Sequence, residues 1–175
     1  RHQDFEVDFD PAIPVEKDLE RRDFRCNSLA LRLRDGALID PFGGLADIRA
    51  RRLRLTNHQA FPEDPLRVLR TARFSSQLEF EVDPAIYEVS KDIDLQGLSL
   101  ERINEELFKL LLASKRPGNG LEELFRLGAL KALFPELYRL TLAIQEPAGA
   151  TFTATGLAEE CRINERDGLL TRSAL

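Results

Sequence analysis

Between Glu63 and Phe74 the chain reads Glu-Asp-Pro-Leu-Arg-Val-Leu-Arg-Thr-Ala-Arg-Phe, with Asp64, Arg67, Arg70 and Arg73 at every third position. On a helix this spacing lays the four charges along one inclined ridge. At 1.5 Å per residue the ridge is roughly 13 Å long, comparable with the reach from a nucleotide's base to its terminal phosphate. An ionised Asp64 only accepts hydrogen bonds and Arg67 only donates them. Cytosine and adenine each present an exocyclic amine donor beside a ring-nitrogen acceptor, so an Asp and Arg pair complements them. Uracil and guanine present the opposite order and would leave polar groups unpaired, which is costly when buried. Arg70 and Arg73 suit bidentate capture of phosphates. The same spacing also describes an i,i+3 ion pair followed by solvated arginines at a helix start, and spacing alone leaves both readings open.

Such a strip needs a scaffold, and the composition allows one. The chain has 175 residues, 43% hydrophobic and 31% charged, enough for one core or two small ones. Collagen, coiled-coil and disordered classes are excluded by that composition. Cys26 and Cys161 are the only thiols, too few for a disulfide framework or a zinc site. No apolar run is long enough for a helical membrane span, so a soluble, cytoplasmic protein is expected, with no membrane partner. The chain opens on Arg1 and contains no methionine, and we expect it to be part of a longer protein.

Charge is segregated. The net charge is −5, yet residues 49–73 carry seven arginines against Glu63 and Asp64, and residues 20–34 carry five against Glu20 and Asp23. These two segments hold +5 and +3, so the remainder holds −13. An arginine-rich stripe on an acidic body can hold phosphates locally; it can equally be a set of solvated helix faces.

The pattern predicts mixed α and β structure first and helices afterwards. Phe5, Val7 and Phe9 alternate with acids as a strand. A polar helix is expected from about Glu16 through Arg22 to Leu33, with Asp35 and Gly36 turning into a strand at 37–39. A helical turn is expected at 45–48 and an alternating strand at 52–56. From Pro62 onward strand signals vanish. A helix should run from Pro65 to about Gln77 with Leu66, Leu69 and Ala72 inward. Asp83 and Pro84 start another, and Ser99 caps a third whose stripe is Ile103, Leu107, Leu110 and Leu111. Helices at 121–127 and 129–134 complete the body, with Pro135 closing it.

A second cluster, Arg21, Arg22, Asp23, Phe24 and Asn27, lies upstream of the turn Asp40-Pro-Phe-Gly-Gly-x-x-Asp47. In order, these two runs and Glu63 to Phe74 resemble the class II tRNA nucleotidyltransferase and bacterial poly(A) polymerase family, over residues 1 to about 137. The resemblance implies an α+β, predominantly α fold: the later part of a nucleotidyltransferase palm sheet (1–60), a helical neck and body that binds RNA and nucleotide (61–140), and an unassigned tail (141–175). It implies an enzyme adding C and A, or only one of these steps, from CTP and ATP to a tRNA 3′ end without a template. A poly(A) polymerase, or a non-catalytic RNA-binding module, are the alternatives.

By the same resemblance Arg22 contacts the nucleotide and Asp23 helps to fix the sugar, with Asn27 beside them. Asp64 and Arg67 read the base, Arg70 and Arg73 hold the triphosphate, and Gly43 and Gly44 form a hinge, although a tight turn would equally need them. Glu101, Arg102, Glu105 and Glu106 look like the element that steadies the base-reading helix, with Arg102 and Glu106 expected as an i,i+4 pair. The family's chemistry requires divalent ions, implying Mg2+, held by a Gly-rich turn and an Asp-x-Asp. Neither is recognisable here. Asp8 and Asp10 have the spacing but are disfavoured as metal ligands, standing too close to the Arg-Arg-Asp run, and Asp92 and Asp94 read as a solvated helix end. His2 and His58 are isolated, so a catalytic triad has no support.

Overall fold

The computed structural model describes residues 13–144 and the backbone of two further strands at 161–163 and 170–172. The strand expected at 5–9, with Glu6, Asp8 and Asp10, and His2 lie outside the described residues. The first helix, α1 (Val15–Glu20), follows Pro14 and stops far short of Leu33. The segment after it is tied up locally: the Asp23 carboxylate accepts from Phe24 N at 3.0 Å and Asn27 Nδ2 at 2.7 Å, and Ser28 Oγ donates to Phe24 O. Side chain to backbone bonds of this kind compete with the helical ladder. The chain instead makes a 3₁₀ turn at Arg25–Asn27 and enters β1 (Ala30–Arg32), which pairs antiparallel with β2 (Ala37–Ile39). Gly36, at φ +70°, supplies the left-handed turn between them.

After α2 (Gly44–Ala50) comes β3 (Arg52–Leu53), shorter than expected, although Leu55 still bridges to Phe24. Strands do not end at Pro62. β4 (Glu81–Val82) pairs parallel to β3, with α3 (Leu66–Leu78) as the crossover between them. Two-residue strands are too short to leave a period in the sequence, which is why the pattern missed β4. In α3 Leu66, Leu69 and Ala72 are buried as expected.

Asp83 caps α4 (Pro84–Ser90) through Ala85 N, and Ser99 caps α5 (Leu100–Ala113) through Arg102 N. Next come α6 (Pro117–Arg126), α7 (Ala129–Leu133) and α8 (Pro135–Ile144). Pro117 and Pro135 stand at first-turn positions, where the missing N–H costs nothing. Each therefore opens a helix, and Pro135 does not close the body. A Cβ on Gly120 would lie 2.8 Å from the Leu110 side chain, so α6 presses on α5 where only glycine fits. In the tail, β5 (Cys161–Ile163) and β6 (Leu170–Arg172) pair antiparallel.

The core follows from these contacts. Phe24 and Phe61 are wholly buried and meet Phe74 of α3 through Phe24, whose ring stands edge-on to Phe74 at 5.5 Å between centroids. Leu110, Leu124, Ala129 and Leu130 close the helical side. Helix α3 lies between the β-containing segment and the α5–α6 pair, and most of its side chains are covered by one or the other.

Candidate functional site

The Arg-Arg-Asp segment and the start of α3 come together in one cleft of about 330 Å³, lined by Arg21, Arg22, Asp23, Asn27, Asp64, Leu66, Arg67, Arg70 and Arg102. That volume is at the small end of ligand sites, about 300–1,000 Å³. Five arginines and two aspartates make it strongly cationic. Six of the predicted residues, Arg22, Asp23, Asn27, Asp64, Arg67 and Arg70, meet here although up to 48 positions separate them in the chain.

Asp23, 4% exposed, is the hub on one wall. Its Oδ1 takes the Phe24 and Asn27 donors, and its Oδ2 takes Arg70 Nε at 2.5 Å. Burial alone would lower the Arg70 pKa, but the hydrogen bond and charge of Asp23, with Glu106 and Asp64 beyond, outweigh it and push the guanidinium's pKa up. Arg22 Nη1 donates to Asn27 O at 3.0 Å, and its Nη2 reaches Asp18 at 3.5 Å. Asp18 is held below the usual carboxylate range, first by its hydrogen bond from Arg21.

On the facing wall Asp64 does not belong to the helical ridge. It is extended (φ −126°, ψ 103°) just before α3, and its Oδ1 accepts from Leu66 N at 3.1 Å. Asp64 and Arg67 do not pair with one another. Arg67 donates to the backbone oxygens of Ala60 and, at 2.8 Å, Arg21, while Asp64 is taken by Arg102 Nη2 at 3.1 and 2.8 Å. The local i,i+3 ion pair is therefore absent. An acceptor and a donor stand side by side in the cleft, each braced by other groups.

Arg73 departs from the single exposed strip. Each step of three residues falls about 60° short of a turn, so Arg73 lies about 120° round α3 from Arg67. It is 8% exposed and does not line the cleft. Its Nε donates to Glu106 Oε2 at 2.6 Å, its Nη1 to Gln77 Oε1 at 2.9 Å, and its guanidinium covers the Phe74 ring at 4.1 Å. Glu106 is thus turned to α3, with Arg70 also 3.8 Å away. The expected Arg102–Glu106 pair does not form: both residues face α3, and each takes the partner opposite it there. Glu105 pairs with Lys109 on the outer face.

Asp64–Arg102 just before α3, then Arg73–Glu106 and the bond from Gln77 Nε2 to the Lys109 backbone oxygen, advance together along α3 and α5. The two helices run in the same direction with a charged seam beside the cleft.

In the glycine turn, Gly43 takes φ +74°, and a Cβ on Gly44 would lie 2.0 Å from the Arg25 carbonyl oxygen. The Asp40 carboxylate accepts from Gly44 N at 2.6 Å and Leu45 N at 3.0 Å. Turn geometry by itself thus requires both glycines. Asp47, closing that run, is buried and bonded to Arg54 Nε at 2.7 Å. Asp92 and Asp94 are exposed just beyond α4, and His58 is exposed.

No group of three or more His, Cys, Asp or Glu among the described residues could hold a metal ion. The two cleft aspartates are each committed to an arginine. The residues described do not fit a divalent ion.

Two family models match. Residues 2–54 match the poly A polymerase head domain, and residues 78–140 match a probable RNA and SrmB-binding site of polymerase A. The multifunctional CCA protein of Mannheimia succiniciproducens is 43% identical over 143 residues, 78% of this chain and 33% of that protein. That of Stenotrophomonas maltophilia (strain R551-3) is 39% identical over 166 residues, 91% of this chain and 40% of that protein. The chain belongs to the class II tRNA nucleotidyltransferase and poly(A) polymerase family.

It spans a third to two fifths of the length of these curated relatives. Among solved members of the family, the Thermotoga maritima CCA-adding enzyme complexed with tRNA aligns with TM-score 0.62 and 28% identity, over 78% of this chain and 38% of that one. The predominantly α, α+β architecture is that of the family. Nucleotidyltransferases of this family generally use a divalent metal. No helix among the described residues is long and apolar enough to cross a membrane.

Motif reading overlooked Arg21 and Arg102 as cleft residues. Arg102 had a signal: with Glu106 it places two charges at i and i+4 on one face of α5, the face turned towards α3.

Proposed function

We propose that the protein is a template-independent RNA nucleotidyltransferase that adds C and A from CTP and ATP to the 3′ end of tRNA, and that the cleft between the Arg-Arg-Asp segment and α3 selects the nucleotide. One observation carries this reading: two separate motifs, joined by Arg102 of α5, converge on one cationic cleft in which a carboxylate and a guanidinium, unpaired with one another, stand together. Asp64 accepts the exocyclic amine of C or A and Arg67 donates to the adjacent ring acceptor. Arg22 and Arg70 take the phosphates, and Asp23 with Asn27 meets the sugar. Arg73 supports the cleft from behind, through Glu106.

Residues 1–60 form the end of the head, 61–140 the neck and body, and 141–175 a tail of unassigned role; the matches at 2–54 and 78–140 support this division. Mg2+ is the proposed metal, held by residues outside those described, and closure about Gly43 and Gly44 belongs to the same proposal. A cytoplasmic location belongs to the same proposal.

Calorimetry of the intact protein with CTP, ATP, UTP and GTP tests the reading. CTP and ATP should bind about tenfold or more tighter than UTP and GTP, as expected where unpaired polar groups penalise the wrong base. Asp64→Ala should bring the four within about threefold, with little change in melting temperature. Equal affinities in the unaltered protein would end the base-reading assignment. Poly(A) addition is the second reading, since residues 2–54 match the poly A polymerase head domain, and incubation with tRNA truncated by one, two and three 3′ nucleotides separates it: restoration of a fixed end supports CCA addition, and an open-ended A tract supports the polymerase.

A further inference from the structure

Arg21 lines the cleft, yet its side chain is turned away from it. The main chain is pinned to the cleft wall, where the Arg21 carbonyl oxygen accepts from Arg67 Nη2 at 2.8 Å. The side chain is 75% exposed and folds back onto α1: Nε donates to Asp18 Oδ1 at 2.8 Å, and Nη2 donates to the same oxygen. Among the described residues Asp18 supplies the only acceptor for this guanidinium. Arg22 is held differently, with Nη1 anchored on Asn27 O at 3.0 Å and Nη2 at 3.5 Å from the other Asp18 oxygen. One carboxylate outside the cleft lining therefore serves two successive arginines within it, Arg21 closely and Arg22 loosely.

We infer that Asp18 is a positioning residue that limits how tightly the cleft holds phosphates: it keeps the Arg21 guanidinium on α1, so that Arg22 and Arg70 meet the triphosphate without it. The inference rests on the phosphate role of Arg22 and Arg70 proposed above. Three residues apart at one helix end, Asp18 and Arg21 stay within reach of each other whatever the cleft contains. A partly exposed bridge of this kind contributes little to stability, so its effect on binding can be separated from folding. Without the Asp18 charge, Arg22 keeps its Asn27 anchor, while Arg21 is left without a protein acceptor at the edge of a cationic cleft. Its next partner is then a phosphate oxygen, which a guanidinium fork suits. An enzyme that releases pyrophosphate after each addition gains nothing in turnover from holding substrate more tightly once it is saturated. A carboxylate that withholds one arginine serves that need.

The experiment measures CTP, ATP, UTP, GTP and inorganic pyrophosphate affinities by calorimetry, with melting temperatures and with divalent ion held constant. It compares the intact protein with Asp18→Asn, Arg21→Gln, the Asp18→Asn/Arg21→Gln double variant, Glu16→Gln and Arg22→Gln. Asp18→Asn should tighten all five ligands together by about two- to fivefold, the range one partly exposed ion pair allows. The ratio of CTP and ATP affinity to UTP and GTP affinity should stay within about twofold, because the added contact is to phosphate. The gain should shrink as salt rises from about 50 mM to about 200 mM, and it should vanish when Arg21→Gln and the double variant are compared. Glu16→Gln removes the same charge from the same first turn of α1 and should change each affinity less than about twofold. A gain that persists in the double variant, or that Glu16→Gln matches, overturns the inference in favour of a general field effect. Unchanged or weaker binding in Asp18→Asn also overturns it, with or without a lowered melting temperature, and leaves the phosphate role of Arg22 standing if Arg22→Gln weakens all five ligands. If Arg22→Gln leaves all five unchanged, the proposed phosphate assignment falls, and this inference with it.

Discussion

Cys26 shows how closely the Arg-Arg-Asp segment is packed behind the cleft. It sits between Asp23 and Asn27 in sequence, and burial, then the charges of Asp23 and Asp47, raise its thiol to about 11. The neutral thiol is favoured by the fold, so any stability this group contributes is complete below its unfolded pKa and is lost as pH rises through about 11. Since the thiolate is the reactive form, Cys26 should be alkylated slowly. In a Cys161→Ser background we expect iodoacetamide to react at pH 8 at least about a hundredfold more slowly than with a free cysteine of ordinary pKa, about 8.5. The rate should still be climbing between about pH 9 and pH 11. A rate that levels off by pH 9 would show the segment to be open to water. At this scale the sequence disclosed the participants better than their partners. That Asp23, Asn27, Arg67 and Arg70 share one site was legible because charged and amide side chains recur within two short motifs. That Arg70 would lock onto Asp23, and Asp64 onto Arg102, depends on distances of 38 to 47 positions along the chain, for which sequence carries no local signal.

The charged seam between α3 and α5 belongs to the scale of elements. Glu106 is 4% exposed and Arg73 8%, so each holds the other's charge away from water. Removing one partner of a buried pair costs about 3–5 kcal/mol because the other charge is left uncompensated. Glu106→Ala should therefore lower stability by about that much in urea unfolding. Glu105→Ala, which breaks only the exposed pair with Lys109, should leave the unfolding midpoint nearly unchanged. Similar effects from the two changes would mean that the seam is solvated. Helices α3, α4 and α5 were readable because each is long enough to show a period, or carries an Asp, Ser or Pro start signal. The helix expected from Glu16 to Leu33 was not, because its charges suggested a helical face while Phe24 was destined for the core and Asp23 for a local bond network. Arg73 leaves the cleft side for a geometric reason: a three-residue repeat drifts round a 3.6-residue helix, so one end of a ridge can be solvent-facing and the other buried.

For the whole molecule, the relevant quantity is where charge is concentrated. A chain of net charge −5 presents a cleft lined by five arginines and two aspartates, locally +3. In the proposed function two kinds of interaction therefore meet in one site. Attraction of the triphosphate by the arginines acts through solvent and is screened by salt, with a Debye length of about 10 Å at 0.1 M. Base selection, as proposed, would depend on short hydrogen bonds between Asp64, Arg67 and the base edge, inside that length and largely insensitive to it. Raising salt from about 50 mM to about 200 mM, with buffer and divalent ion held constant, should weaken all four nucleoside triphosphates together, by about three- to tenfold, as for other multi-phosphate contacts. The ratio of CTP and ATP affinity to UTP and GTP affinity should stay within about twofold, since that ratio reports hydrogen bonding alone. If the preference faded in step with affinity, selection would be electrostatic in origin, and the division of labour between the arginines and the Asp64–Arg67 pair would be wrong. Constant affinity across the salt series would place the triphosphate away from Arg22 and Arg70, because a screened attraction cannot hold its strength while counterions accumulate around it.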